Sequence, residues 1–282
     1  MPKELIHTVD GVTGEVKIRD YLKKHLGFST SLIAKVKYDN VYLNGIAVHM
    51  RAMVKNGDQI KVVYPSEDSE NIPPISIPLE ILYEDDYIIA VDKPINMPIH
   101  PSKGNSLPTL ANAIKAYLNS PFVFRAVNRL DRDTSGIVLI AKDRLTSAKL
   151  SNSMKNGMFK KEYEARIVGV PKEKSGTINA PIDRECEGSI KRVVTENGKQ
   201  CITEYWVKQM LPDGTCICGA SPITGRTHQI RVHLAHIGHP LYADFLYGDR
   251  IQGETYYLKC IKLQFPHPET GEILQLSAPG KY

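Results

Sequence analysis

NRLDRDTSGIVLIAKD, residues 128–143, sets four charges into five positions (Arg129, Asp131, Arg132 and Asp133) directly before the apolar run Ile137 to Ala141. A short apolar run bounded by turn residues reads as a buried strand. Charges abutting such a strand are costly unless they pair or act. On an extended backbone Arg129 and Asp131 point to one side and Arg132 to the other. An arginine beside Asp131 would hold its carboxylate ionised, as a nucleophile requires. The bland alternative is an ion-pair cluster that seals a turn.

Two downstream segments extend this reading. In SPITGRTHQIRVHLAHIGHPLYAD (221–244), Ile230, Leu234 and Ile237 form the apolar face of a helix that starts near Thr224 and stops at Gly238. Thr227 and Arg231 then lie one turn apart, with Arg226 near the N-terminus. His228, His233, His236 and His239 invite a zinc reading, but no HExxH occurs and Asp244 is the one nearby carboxylate, so no metal is expected. FKKEYEARIVGV (159–170) alternates like a strand, with Tyr163, Ala165 and Ile167 on one face. A tyrosine there is ordinary core unless an aromatic partner, such as a base, stacks on it.

Upstream the chain changes character. Residues 1–65 carry ten basic side chains against six acidic ones, a net of +4 out of +5 for all 282 residues. PSEDSENIPPISIPLE (65–80) reverses the sign with Glu67, Asp68, Glu70 and Glu80 and carries four prolines. Proline fixes φ and removes a donor, which predicts an extended linker and a domain boundary near 66–78. A chain of this length is near the limit for one core, so two domains are expected. Within the first, Glu15 to Leu26 has a helical pattern stopped by Gly27, and Ser29, Thr30 or Ser31 can cap a second helix through Tyr38. VYLNGIAV (41–48) is a hairpin around Asn44-Gly45, and Gly57-Asp58 turns into the strand QIKVVY (59–64). Arg19 and Lys23 are i,i+4 neighbours and Lys35 and Lys37 crowd the second helix, either as a solvated face or as a polyanion-binding one.

Composition excludes other classes. With 42% hydrophobic and 24% charged residues the sequence is that of an ordinary globular protein. No apolar run approaches the length of a membrane span, and the opening MPKELIHTVDG has no signal-like segment. Five cysteines without a paired CxxC site predict reduced thiols and a cytoplasmic setting.

RLDRDTSG (129–136), KKEYEARIVG (160–169) and GRTHQIRVHLAHIGHP (225–240) together resemble the signature motifs of the RluA/RluD family of pseudouridine synthases. IIAVDKPINMPIHP (88–101) is similar to the family's first motif and YLKCIKLQFPHP (257–268) to its C-terminal segment. The order helix, Ser/Thr turn, helix, Asn-Gly hairpin resembles the small RNA-binding module of ribosomal-protein-S-four type. The resemblance implies three segments: an S-four-like RNA-binding domain over 1–66, an acidic Pro-rich linker over 67–78 and a catalytic domain over 79–282. The fold it implies is α+β, a pseudouridine synthase fold with a large mixed or antiparallel sheet beside a small N-terminal α/β domain.

Carried over by position, Asp131 is the catalytic aspartate, Arg231 its salt-bridge partner and Tyr163 the tyrosine that stacks on the target base. Arg129 matches the arginine that displaces the uridine, Arg226 is a substrate contact and Leu258 closes the pocket. Arg19, Lys23, Lys35 and Lys37 would grip RNA phosphates. The implied activity is isomerisation of uridine in large-subunit ribosomal RNA first and transfer RNA second, by a monomer without cofactor, metal or membrane. The same carboxylate could attack the anomeric carbon or remove a ribose proton. Asn128, Asn96 and Lys259-Cys260 depart from a frequent His, Gly and His-Ala. They motivate the alternative of a non-catalytic RNA-binding or ribosome-assembly protein that retains the fold.

Overall fold

The computed structural model describes residues 3–36, 40–64, 72–101, 108–119 and 122–281. The first unit contains β1 (Lys3–Thr8), β2 (Val16–Lys17), α1 (Ile18–Lys24), α2 (Thr30–Lys35), β3 (Val41–Leu43), β4 (Ile46–Ala47), β5 (Met53–Val54) and β6 (Gln59–Tyr64). Four strands pair in the order β1-β6-β3-β4, and β2 pairs with β5. The first helix begins later than its apolar pattern suggests, because Val16 and Lys17 are taken by pairing with Val54 and Met53. Ile18, Tyr21 and Leu22 are its buried face, and Gly27 at φ +73 lets the chain turn away. Ser29 caps α2 by accepting from the Leu32 N–H at 3.1 Å. The expected extension to Tyr38 lies outside the described residues, as do Lys37 and the side chain of Lys35.

Asn44 (φ +49) and Gly45 (φ +84) both adopt the left-handed conformation that a two-residue hairpin loop needs. The Asn44 amide donates to Asp58 at 2.9 Å and accepts from the Gln59 N–H at 2.8 Å, which locks the hairpin to the Gly57-Asp58 turn. The small core includes Ile18, Leu22, Phe28, Leu32, Ile60 and Val62, and it is completed by Leu145, a residue far along the chain.

The second unit holds β7 (Glu80–Glu84), β8 (Ile88–Lys93), α3 (Leu110–Leu118), β9 (Ser135–Ala141), α4 (Arg144–Lys155), β10 (Lys160–Val168) and β11 (Ser175–Asn179). Then come β12 (Ile182–Arg184), β13 (Arg192–Val194), β14 (Ile202–Met210), β15 (Thr215–Pro222), α5 (Gln229–His236), β16 (Leu258–Pro266) and β17 (Ile273–Ser277). Nine of these strands form one sheet in the order β11-β14-β15-β10-β16-β9-β8-β7, with β17 also on β16. β16 runs parallel to β9 and the other pairs are antiparallel, so the sheet is mixed and the fold α+β.

β8 and β9 are buried almost end to end, as their apolar runs require. Each Ile, Leu or Val enclosed there contributes about 1.5–3 kcal/mol. Gly136 sits at φ +109 where a Cβ would overlap the Cys260 backbone, so only glycine lets β9 and β16 close. The second half of the Pro-rich segment lies against this body. The Asn112 side chain donates to the Pro73 carbonyl at 2.8 Å, and Ile72, Ile77 and Leu79 pack on the large core. Among the described residues no helix is long and apolar enough to cross a membrane.

Candidate active site

A cleft of about 520 Å³ opens where β10, β16, the start of α5 and the loop before β9 converge. Asp131, Tyr163, Arg231 and Leu258 all line it, together with Arg129 and Arg226. These residues come from positions far apart in sequence, and the sheet order explains their meeting. Tyr163 on β10 stands opposite Cys260 on β16 and Ala220 on β15, and β16 in turn pairs with Ser135 and Gly136 just after the Asp131 loop. A register shift between Glu162 and Tyr163 marks a bulge, a device that re-aims a side chain.

The charges of 129–133 are divided. Arg132 donates two bonds to Asp133, at 2.9 and 2.8 Å, so this pair is the turn-sealing contact and leaves Asp131 aside. Beneath the loop Lys93 is fully buried, and its ammonium donates to the carbonyls of Pro94, Met97 and Arg132 at 2.8, 2.9 and 3.1 Å. Burial lowers its pKa to about 8, partly offset by the field of Asp133 and Asp131. That ammonium ties the loop after β8 to the loop before β9 and fixes where Asp131 emerges.

Asp131 keeps about a third of its side chain exposed, with Oδ2 3.7 Å from Arg231 Nη1 and 3.8 Å from His228 Nε2. Arg231 is expected from sequence as the ion-pair partner of Asp131; the structure gives its two-point bond to another carboxylate. Arg231 Nε and Nη2 donate to Asp244 Oδ2 and Oδ1, both at 2.7 Å. Burial opposes the guanidinium charge, yet the Asp244 bonds and the fields of nearby groups raise the pKa above the ordinary arginine value. The Tyr256 and Tyr247 rings lie 4.4 and 4.9 Å from the guanidinium carbon. Arg231 is therefore a fixed cation whose third nitrogen serves Asp131.

Tyr163 is buried, and burial drives its hydroxyl pKa well above the usual value, followed by the influence of Cys260. Its ring is a neutral aromatic wall. Arg129 and Arg226 are exposed at the rim, Arg226 leaning on the Gln200 carbonyl at 3.4 and 3.5 Å. Arg19 is also exposed and lies 3.4 Å from Asp20.

The helix α5 starts later than its apolar pattern suggests. Thr224 to His228 form a loop in which the Gln229 side chain accepts from the Arg226 N–H and the Thr224 hydroxyl, at 2.9 and 2.8 Å. His228 enters the left-handed region at φ +58, and its Nδ1 lies 2.7 Å from the Tyr247 hydroxyl. Burial lowers its pKa, with Asp131 pulling the other way. His233 is enclosed between Thr203 and the Ala180 carbonyl, and His239 contacts the Val168 carbonyl. Among the described residues no group of three or more His, Cys, Asp and Glu is placed to hold a metal ion.

Asp244, Tyr256, Tyr247 and His228 are site residues that the motifs alone did not assign. The one signal for Asp244 was its position as the sole carboxylate of the 221–244 segment. The three departures have structural roles. Asn128 is buried and donates to Ile137 O while accepting from the Leu139 N–H, at 2.9 and 2.8 Å. Asn96 takes the left-handed φ of +57 that explains a glycine preference there, and Lys259 pairs with Asp92 at 2.7 Å.

Comparison with known proteins identifies the family. A family model described as RNA pseudouridylate synthase matches residues 87–236. The chain is 37% identical to an uncharacterised RNA pseudouridine synthase, YjbO, of Bacillus subtilis, over 90% of this chain and 92% of that one. It is 34% identical to ribosomal large subunit pseudouridine synthase D of Pasteurella multocida, covering 86% of this chain and 81% of the other. Among solved structures, human RNA pseudouridylate synthase domain containing 1 superposes with a TM-score of 0.63 at 26% identity. That match covers 74% of this chain and 86% of the human one.

Proposed function

The chain belongs to the RNA pseudouridylate synthase family of RNA isomerases, and from that premise we propose that Asp131 attacks uridines of large-subunit ribosomal RNA. The observation that carries the mechanism is a carboxylate about a third exposed that faces a guanidinium whose other edge is already bonded. A cation held in this way cannot swing away during the reaction. Asp131 then bonds to C1′ of the ribose or takes the 2′ proton to leave a glycal. In either case the N1–C1′ bond breaks and the uracil departs with the electron pair. The ring turns and C5 bonds to C1′ as the Asp131–C1′ bond breaks or, on the glycal route, as Asp131 returns the proton to C2′; N1 takes up a proton and the C5 proton goes to solvent. The change is redox-neutral and moves no phosphate.

Tyr163 supplies the stacking face for the extruded base, Leu258 the apolar floor, Arg129 the wedge for the vacated stack and Arg226 a rim cation for phosphate. Extruding a base costs a few kcal/mol that these contacts offset. Residues 1–66 act as the S-four-like RNA-binding module, with Arg19, Lys23, Lys35 and Lys37 toward phosphate, 67–78 as connector and 79–282 as the catalytic domain. The similarity to ribosomal large subunit pseudouridine synthase D of Pasteurella multocida supports ribosomal RNA ahead of transfer RNA. The protein works as a cytoplasmic monomer.

RNA carrying tritium at uridine C5 tests this, because the C5–H bond breaks only when C5 becomes the glycosidic carbon. The unaltered protein releases tritium to water from large-subunit RNA, and Asp131→Asn lowers the rate at least about 100-fold while RNA binding persists. Full release by Asp131→Asn would remove the aspartate from the mechanism.

A further inference from the structure

Lys161 lines the same cleft as Asp131. Side chains two apart on a strand share a face, so Lys161 and Tyr163 both look from β10 into the cleft, and Glu162 and Glu164 point to the other side. Those two carboxylates are already engaged, Glu162 by Lys262 at 3.1 Å and Glu164 by Lys208 at 2.6 Å. On the cleft side Lys161 comes up against Gly225, where a Cβ would lie 4.0 Å from its Nζ. Among the described residues no carboxylate pairs with that ammonium and no acceptor bonds it.

Its surroundings offer no counter-charge. Cys260 on β16 and Tyr163 on β10 are the titratable groups packed near it, and Arg226 follows Gly225 in the loop. Burial keeps the thiol and the phenol neutral, with the Cys260 pKa pushed up to about 12. Burial also lowers the pKa of Lys161, with Cys260 pulling the other way. Two other cations of the cleft are committed, Arg231 to Asp244 and Arg226 to the Gln200 carbonyl. A partly desolvated ammonium with free donors holds an anion more strongly than a hydrated one does.

That placement meets a need of the reaction. When the N1–C1′ bond breaks, the electron pair leaves with the uracil and spreads from N1 onto the ring oxygens. The neutral Tyr163 ring covers the face of the base and supplies no charge, and Arg231 is turned to Asp131 at the ribose. We propose that the Lys161 ammonium donates a hydrogen bond to a carbonyl oxygen of the detached uracil and stabilises its negative charge until C5 bonds to C1′. Lys161 keeps its proton throughout, so the bonds broken and formed stay as given for Asp131. This rests on the reading of the chain as an enzyme that detaches uracil, and it adds a catalytic residue on the base side of the site. A lysine that only shields apolar surface with its stem would act through the stem alone.

The test uses the full-length protein with Lys161→Met, which keeps the stem and loses the charge, and Lys161→Arg, which keeps the charge. Lys160→Met, at the exposed neighbouring position, is the control and should match the parent. Lys161→Met should lower kcat for tritium release about 100-fold, the cost of one donor to a developing oxyanion, with KM and RNA affinity unchanged. Lys161→Arg should regain at least about 10-fold of that loss. Above neutral pH the parent kcat should fall as Lys161 loses its proton, and the Lys161→Arg rate should stay level over the same range. Barbiturate, a pyrimidine whose ring oxygens carry a negative charge at neutral pH, gives a readout apart from activity. The parent should bind it about 10-fold more tightly than Lys161→Met does, and the two should bind neutral uracil alike. A Lys161→Met kcat equal to the parent's, a kcat that rises with pH only where the lysine is present, or equal barbiturate affinities would overturn the role of the ammonium. Absence of tritium release by the unaltered protein would instead overturn the enzymatic reading, and barbiturate binding would still decide the Lys161 site.

Discussion

Arg231 and Asp244 meet edge to edge, Nε to Oδ2 and Nη2 to Oδ1, at 2.7 Å each and with side chains 4% and 0% exposed. This buried pair is what allows Arg231 to face Asp131 in one orientation. A carboxylate taken out of water demands its partner, and the partner's geometry is then no longer adjustable.

Breaking that pair from one side should cost more than removing it. Asp244→Ala leaves a buried guanidinium short of two acceptors and should destabilise the protein by about 3–5 kcal/mol, measured by urea unfolding. Arg231→Met/Asp244→Leu should recover most of that stability and none of the tritium release. Recovery of both would mean that the arginine is only a scaffold.

Tyr247 accepts from the Arg192 N–H at 3.0 Å, which leaves its own proton for His228 Nδ1 at 2.7 Å. With the Tyr247 hydroxyl donating, the imidazole proton sits on Nε2, toward Asp131. Tyr247→Phe frees the ring to take the other tautomer and should lower kcat roughly 10-fold with KM unchanged. A change confined to KM would assign Tyr247 to substrate binding.

Gly136→Ala should be among the most damaging small changes, at about 3 kcal/mol, because it combines a positive φ with overlap on the Cys260 backbone. Denaturant titration checks the loss. Activity should fall in the surviving folded fraction too, since β9 follows the Asp131 loop directly. A stability within 0.5 kcal/mol of the parent, on the order of ordinary surface substitutions, would contradict the close strand approach.

Acid should weaken the fold early. Burial holds His100, His228 and His233 below the ordinary imidazole pKa. The unfolded chain therefore binds more protons than the native one once the pH drops below about 6.5, and stability falls from there toward the native values. Urea midpoints measured from pH 7 to 5 should decline, and His233→Gln should flatten the decline. A midpoint independent of pH over that range would show that these groups protonate without cost.

Local signals were readable in the amino-acid order and long-range ones were not. The Asn44-Gly45 hairpin and the buried strand at 137–141 follow from turn chemistry and apolar runs, and Asp131, Tyr163, Arg231 and Leu258 do share one cleft. The pairing of Arg231 with Asp244 was missed because it depends on how the chain folds back after α5, and spacing does not encode that. Likewise β1 joins β6 through a ladder between the ends of the first unit, and Val16-Lys17 becomes a strand because Met53-Val54 offers an edge. In each case a distant partner overrode the local pattern. The helix at 229–236 was legible from its apolar positions, but its start was moved by the Gln229 side chain, a contact made within the loop.

Leu145 carries a consequence for how the chain is made. Synthesis runs from the N-terminus, so residues 3–64 leave the ribosome well before the residue that completes their core. Until α4 emerges, that small unit keeps an uncovered apolar spot. Its final stability is therefore conferred late, by docking onto the beginning of the larger sheet body. A nascent chain stopped before residue 145 should be cut by protease within the first unit faster than one stopped after α4.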